Sequence, residues 1–133
     1  MKLISKYFKL DELIHTSTGL LNVPNKEQFD NLQKLVTNVL DPLRELYDNP
    51  ITVNSAFRSA IVNKKVNGSN TSEHMKGMAA DIRCSDNALL YKLIKDNFKF
   101  RQLIWEYGND KQPSWVHVSY NENDNKKQIL RIK

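Results

Sequence analysis

Thr71-Ser72-Glu73-His74-Met75-Lys76-Gly77-Met78-Ala79-Ala80-Asp81 carries a histidine and an aspartate seven positions apart, and Trp115-Val116-His117-Val118 adds a second histidine near the other end of the chain. Gly77 and the small Ala79 and Ala80 leave room for the backbone to turn after His74 and run on as a strand. Alternation over Ala79 to Arg83 then puts Asp81 on the face of Ala79 and Arg83, with Ala80 and Ile82 on the other. The same alternation puts Trp115, His117 and Ser119 on one face of a second strand and Val116, Val118 and Tyr120 on the other. An aspartate among apolar neighbours is costly unless charge or hydrogen bonds compensate it. Two imidazoles and one carboxylate converging from adjacent strands would compensate it with a metal ion. Three protein ligands and one open position are what a metal needs in order to act on a substrate. The alternative is that His74 and His117, like His15, are ordinary hydrogen-bonded side chains.

Working outward, Pro24 to Tyr47 shows Phe29, Leu32, Leu35, Val36, Val39, Leu43, Leu46 and Tyr47 mostly three and four apart, which predicts an amphipathic helix. Pro24 suits its first turn. Pro42 should kink it or start a new helix capped by Asp41, and Asn49-Pro50 ends the helical part. A strand over Ile51 to Ala56 follows. The polar run Asn63 to Asn70 reads as a loop leading to His74 and is placed to wall a cleft. Ser85 or Asp86 can cap a further helix containing Leu89, Leu90, Leu93 and Ile94, which Asn97 would end. Gln102 to Tyr107 and Trp115 to Tyr120, joined through Gly108 to Pro113, form a hairpin. Gln128 to Ile132 reads as an edge strand. The expected fold is therefore α+β, a small antiparallel sheet carrying the metal site and packed by amphipathic helices.

The chain has 133 residues, 40% of them hydrophobic, which suits one domain over 1–133. Its 20 basic and 15 acidic residues leave a charge of +5, favouring approach to polyanions. The basic residues are scattered and not interleaved with aromatics, so no nucleic-acid partner is expected. One cysteine, Cys84, has no partner for an intramolecular disulfide and reads as a small buried side chain. Lys6, Lys9 and Asp11 interrupt any amino-terminal apolar segment, so neither a signal peptide nor a membrane span is expected. Synthesis in the cytoplasm, and a monomer, are the corresponding expectations.

The segments Ser55-Ala56-Phe57-Arg58-Ser59, Ser72-x-His74-x-x-Gly77-x-Ala79-x-Asp81 and Trp115-Val116-His117-Val118 resemble the zinc D,D-peptidase family, that of the D-Ala-D-Ala carboxypeptidases and related phage endolysins, above all its short single-domain branch. Phe8 to Leu13 and the long helical segment after it share the likeness. The resemblance implies Zn2+ held by His74, Asp81 and His117, with Ser72 beside the metal. It also implies that Arg58 contacts substrate or the developing oxyanion. The substrate implied is the peptide stem of peptidoglycan, cut by a carboxypeptidase or an endolysin-type endopeptidase at the cell wall after release or lysis. A fixed guanidinium suits either role given to Arg58.

In one respect the chain departs from the family. Many relatives carry a general base, usually glutamate, three residues before the last histidine, where this chain has Ser114. Glu106 on the preceding strand of the hairpin is the expected replacement, because a base must reach the water it deprotonates. Glu73, beside His74, competes for the role but should point away from its neighbour. Two other readings compete with a peptidase. An iron(II) oxygenase also uses a His-carboxylate-His set, although the long helical segment disfavours the usual β-sandwich. A zinc-stabilised wall-binding or structural module that has lost catalysis would explain Ser114.

Overall fold

The structure is a computed structural model and describes residues 2–133. It is α+β. After α1 (Leu10–Ile14) a long helical run comprises α2 (Lys26–Leu35), a π-helical turn (Val36–Leu40) and α3 (Asp41–Tyr47). Strand β1 (Thr52–Ser55) leads to α4 (Ala60–Lys65), a 3-10 turn (Glu73–Lys76), β2 (Ala79–Arg83), α5 (Asn87–Asn97), β3 (Gln102–Glu106), β4 (Trp115–Ser119) and β5 (Gln128–Ile132).

The five strands form one open sheet in the order β1-β2-β4-β3-β5. The expected antiparallel sheet holds for four strands only, because β5 pairs parallel to β3. Register decides the faces. Asp81 lies opposite His117, and His117 lies opposite Ile104 on its other side. Ala80, Ile82, Leu103, Val116 and Val118 therefore point to the opposite face, where all five are fully buried. They join Leu32, Leu35, Val39, Leu40 and Leu43 of the helical run and Leu90 and Ile94 of α5 in one core. One face of the sheet is thus closed by helices, and the face that bears Asp81, His117 and Glu106 carries the polar chemistry.

Proline placement explains how the helical run differs from expectation. Asn25 caps α2, its side chain accepting from Gln28 N while Gln28 reaches back to Asn25 N, so Pro24 precedes the cap and does not lie in the first turn. Pro42 stands in the first turn of α3, as one of its two expected roles has it, but Asp41 does not cap that helix, because Leu40 holds the cap position. Asp41 has helical dihedrals, and its N–H reaches Val36 O, five residues back. Widening the turn in this way accommodates a residue that has no N–H to give to the preceding turn. The Asp41 carboxylate instead takes hydrogen bonds from Ser5 Oγ and Lys6 N, tying the amino-terminal segment to the helix.

One further detail departs from the sequence reading. The run expected as a loop begins inside α4, which Ser59 caps by accepting from Val62 N. For α5 the expectation holds: Asp86, one of the two candidates, supplies the cap, and Asn97 ends the helix. No helix among the described residues is long and apolar enough to cross a membrane.

Candidate metal centre

His74 is delivered by a short, tightly specified turn. Ser72 Oγ accepts from His74 N at 3.2 Å, capping the 3-10 turn, and Gly77 closes it with φ of 75°. A side chain on Gly77 would also collide with α2, since a Cβ there would lie 2.3 Å from Gln28 O. Glycine is required by conformation and by packing alike. The backbone then enters β2, and Asp81 meets His117 across the β2–β4 pair.

Imidazole nitrogens face the Asp81 carboxylate from two sides. His74 Nε2 is 3.3 Å from Oδ2, and His117 Nδ1 is 2.9 Å from Oδ1. The two rings sit 5.1 Å apart, edge to face. His74 Nδ1 lies 2.7 Å from the Ala56 carbonyl, which can only accept, so this nitrogen carries the proton. Nε2 is thus the nitrogen turned toward Asp81 Oδ2, the one that a neutral ring can offer to a cation between them. One donor atom from each of the three residues falls within 4.8 Å of the others, as a shared metal ion requires. Two ligands bonded tetrahedrally at about 2.0–2.1 Å stand about 3.3 Å apart, which is the spacing that His74 and Asp81 have. The Ala56 carbonyl fixes tautomer and ring orientation, the usual part of a group behind a metal-binding histidine.

All three residues are buried or nearly so. Burial pushes the Asp81 carboxyl upward, but hydrogen bonds and charge from His117 and His74 outweigh it and hold the group well below the usual carboxylate range.

Arg58 stands at the edge of this group. Its Nη2 is 3.5 Å from Asp81 Oδ2, while Nε donates to Ser55 Oγ and Nη1 to Asn63 Oδ1. The backbone that presents it is tied down by buried Asn22, which donates to Phe57 O and Ile14 O and accepts from Ser59 N. Asn63 also donates to Ser69 O, so α4 and the following loop together brace the guanidinium.

Glu106 is on the same sheet face, two residues beyond Ile104. Its Oε2 accepts from the Trp115 indole at 2.8 Å. Burial raises its pKa, the negative Asp81 adds to the rise, and the Trp115 bond and the two histidines oppose it. Ser114, where a family glutamate is absent, is in the hairpin connection, and its N–H donates to Glu106 O. Glu73 also lines the cleft and pairs with Arg101, its Oε2 3.3 Å from the arginine Nε.

Arg58, Ser72, His74, Asp81, Glu106 and His117 all line one cleft of about 750 Å³, with Asn67 and Ser69 of the loop in its wall. A separate groove lined by Lys26, Asp30, Tyr120 and Glu122 contains no histidine. Sequence reading singled out Arg58, Ser72, His74, Asp81, Glu106 and His117, but neither the supporting roles of the Ala56 carbonyl, Asn22 and Asn63 nor Arg101, which also lines the cleft. Asn63 and Arg101 left only a faint signal, being polar residues beside apolar runs. The Ala56 carbonyl left none, because a backbone acceptor has no residue code.

Residues 6–119 match the family described as Peptidase M15. The chain belongs to that family. Its members are zinc-dependent metallopeptidases, and the chemistry of the His74, Asp81 and His117 donor set fits that metal. A comparison with curated proteins returns no match. The family places this M15 protein among hydrolases of peptide bonds, and its cleft combines a group able to hold a metal, a braced guanidinium and a desolvated carboxyl.

Proposed function

We propose that this M15 protein hydrolyses an amide bond in the peptide stems of peptidoglycan, with His74, Asp81 and His117 as the zinc ligands. The observation that carries the reading is the convergence of those three side chains in the cleft that Arg58 and Glu106 also line. Zinc bound there supplies Lewis acidity and a water acidic enough to lose its proton near neutral pH.

Glu106 is the general base. Its raised pKa makes it a better proton acceptor than an ordinary surface carboxylate, and the Trp115 indole holds one oxygen while the other remains to take the proton. As the water oxygen bonds to the acyl carbon, Glu106 receives the proton. When the carbon–nitrogen bond breaks, the same proton passes to the leaving amine. Arg58 has Nε and Nη1 committed to Ser55 and Asn63, so Nη2 is the group directed at the Asp81 carboxylate and at charge developing beside it. Of the two roles open to Arg58, oxyanion stabilisation suits this bracing better. Ser72 serves by orienting the turn that delivers His74.

A net charge of +5 favours approach to the polyanionic polymers of the bacterial wall, where the protein would act after release or lysis. The cut is a D-alanyl-D-alanine carboxypeptidase cut or an endolysin-type endopeptidase cut.

Digestion of purified peptidoglycan by zinc-loaded protein, followed by mass spectrometry, tests the reading and names the bond. New amine and carboxyl termini from the wild type, absent with Glu106→Gln, are the expected result. Intact peptidoglycan alongside firmly bound zinc would overturn it in favour of the non-catalytic wall-binding module that Ser114 motivates.

A further inference from the structure

Arg101 lines the cleft and is used by neither the metal set nor the hydrolytic step. It precedes β3, and its backbone is fixed at both ends: its N–H donates to Ser119 O, and its carbonyl accepts from Gln128 N. The guanidinium Nε is 3.3 Å from Glu73 Oε2, on a carboxylate that is itself 12% exposed, and 3.8 Å from Asp124 Oδ2, which is half-exposed. Nη1 is buried with no hydrogen-bond partner, the one such side-chain nitrogen or oxygen among the described residues. Buried guanidinium donors are ordinarily satisfied. Glu73 adjoins His74 in sequence, so the same ion pair locates this charge relative to the metal set.

We propose that Arg101 is a specificity-determining residue that binds a free carboxylate of the substrate other than the one formed at the cut. This rests on the peptidase reading above and deepens it. Glu73 holds the Nε side of the guanidinium, so its orientation is set before substrate arrives. Asp124, at 3.8 Å and half in solvent, is the weaker of the two partners and the one that an incoming carboxylate displaces. Arg58 cannot take the second carboxylate while its Nε and Nη1 are bound to Ser55 and Asn63. The cleft thus has two guanidinium groups with separate tasks, Arg58 beside the metal set and Arg101 at the Glu73 wall. In a lysine-type stem peptide the matching group is the α-carboxylate of D-glutamate, which is lost when that residue is amidated to D-isoglutamine.

The test uses zinc-loaded full-length protein and two stem pentapeptides that differ only in D-glutamate or D-isoglutamine at the second position. The wild type is expected to prefer the free acid by about tenfold or more in kcat/KM, carried by KM, because a charge-assisted contact is lost in the amide. Arg101→Gln should bring the ratio close to one, Arg101→Lys should restore part of it, and Asp124→Asn should lower KM for the acid. A wild type that cuts both peptides equally, or an Arg101→Gln protein that keeps the preference, overturns the proposal and leaves the peptidase reading standing. If neither peptide is cut, that reading has failed, and calorimetric binding of the same two peptides decides about Arg101. An acid preference lost in Arg101→Gln would uphold it, and equal binding would overturn it.

Discussion

Asp81 on β2 and Glu106 on β3 share one face of one sheet, with only β4 between them, and the protein drives their carboxyls in opposite directions. Both are desolvated. Asp81 has two imidazoles against it, His117 and His74, so its charged form prevails despite burial. Glu106 has one neutral indole donor and feels the negative Asp81 nearby, so burial prevails. Two residues of nearly the same chemistry are thereby set apart, one kept charged and so able to hold a cation, the other pushed toward holding a proton.

Removing the charge of Asp81 should have the largest effect on that pairing. Asp81→Asn takes away the anionic ligand and leaves Arg58 facing a neutral amide. Zinc affinity should fall more than about 100-fold, beyond the usual cost of altering a supporting group, and hydrolysis should fall with it. Competition against a chromogenic chelator measures the first and peptide release the second. A variant that binds zinc as tightly as the wild type would remove Asp81 from the ligand set.

Glu106→Gln separates the two carboxylates in the other sense. Zinc should stay bound while turnover drops by about 10²–10⁴-fold, the usual contribution of a general base. The metal-free protein adds a test of sign. Because the folded pKa of Glu106 is raised, the fold takes up protons there more readily than the unfolded chain, and stability falls as pH climbs from about 4.3 through the folded value. Asp81, with its folded pKa lowered, contributes stability above about 3.9 that is lost as pH falls through its folded value. In chelator-treated protein, Glu106→Gln should therefore melt higher than the wild type at pH 7, and that advantage should vanish on acidification below the ordinary glutamate range. Equal melting temperatures at pH 7 would mean that Glu106 is not desolvated in the folded protein.

The contrast between the two carboxylates was unevenly legible in sequence. Asp81 could be read because strand alternation over Ala79 to Arg83 and over Trp115 to Tyr120 assigns faces directly, and Gly77 marks the turn that brings His74 to the same side. Glu106 could be placed on its strand, and the hairpin through Gly108 to Pro113 set its row, but the indole bond that restrains it depends on a rotamer. The direction of β5 was not readable. Gln128 to Ile132 has the same pattern whether it pairs parallel or antiparallel, and only the path of the preceding tail over the sheet end decides. The π-helical turn was hidden for a related reason: Pro42 announces a missing donor, but a kink, a break and a widened turn all accommodate it. Arg101 looked like one more scattered basic residue until the fold brought it to Glu73.

Gly77→Ala probes the backbone that supports the Asp81 side of the comparison. A residue other than glycine at φ of 75° is strained, and its Cβ would meet Gln28 O at 2.3 Å, a contact relieved only by moving the His74 turn away from α2. A loss of about 2 kcal/mol or more in urea unfolding is expected, with weaker zinc binding because His74 moves with the turn. Unchanged stability would show that the turn and α2 are not closely packed.

Trp115→Phe makes the smallest change, deleting the hydrogen bond to Glu106 while keeping a ring against Tyr107. The indole bond at 2.8 Å is one of the contributions that hold the Glu106 pKa down against burial, and phenylalanine retains the ring while deleting the donor. Deleting it should raise the pKa further, so the acid limb of the kcat/KM profile should move to higher pH, with activity above that limb falling by about two- to twelvefold because one hydrogen bond contributes about 0.5–1.5 kcal/mol. The shift belongs to Glu106 only if it disappears in the Trp115→Phe, Glu106→Gln double variant, whose residual activity should follow the profile of Glu106→Gln. An acid limb that stays in place in Trp115→Phe would assign the essential ionisation to another group and return Glu106 to the role of a strand-end carboxylate.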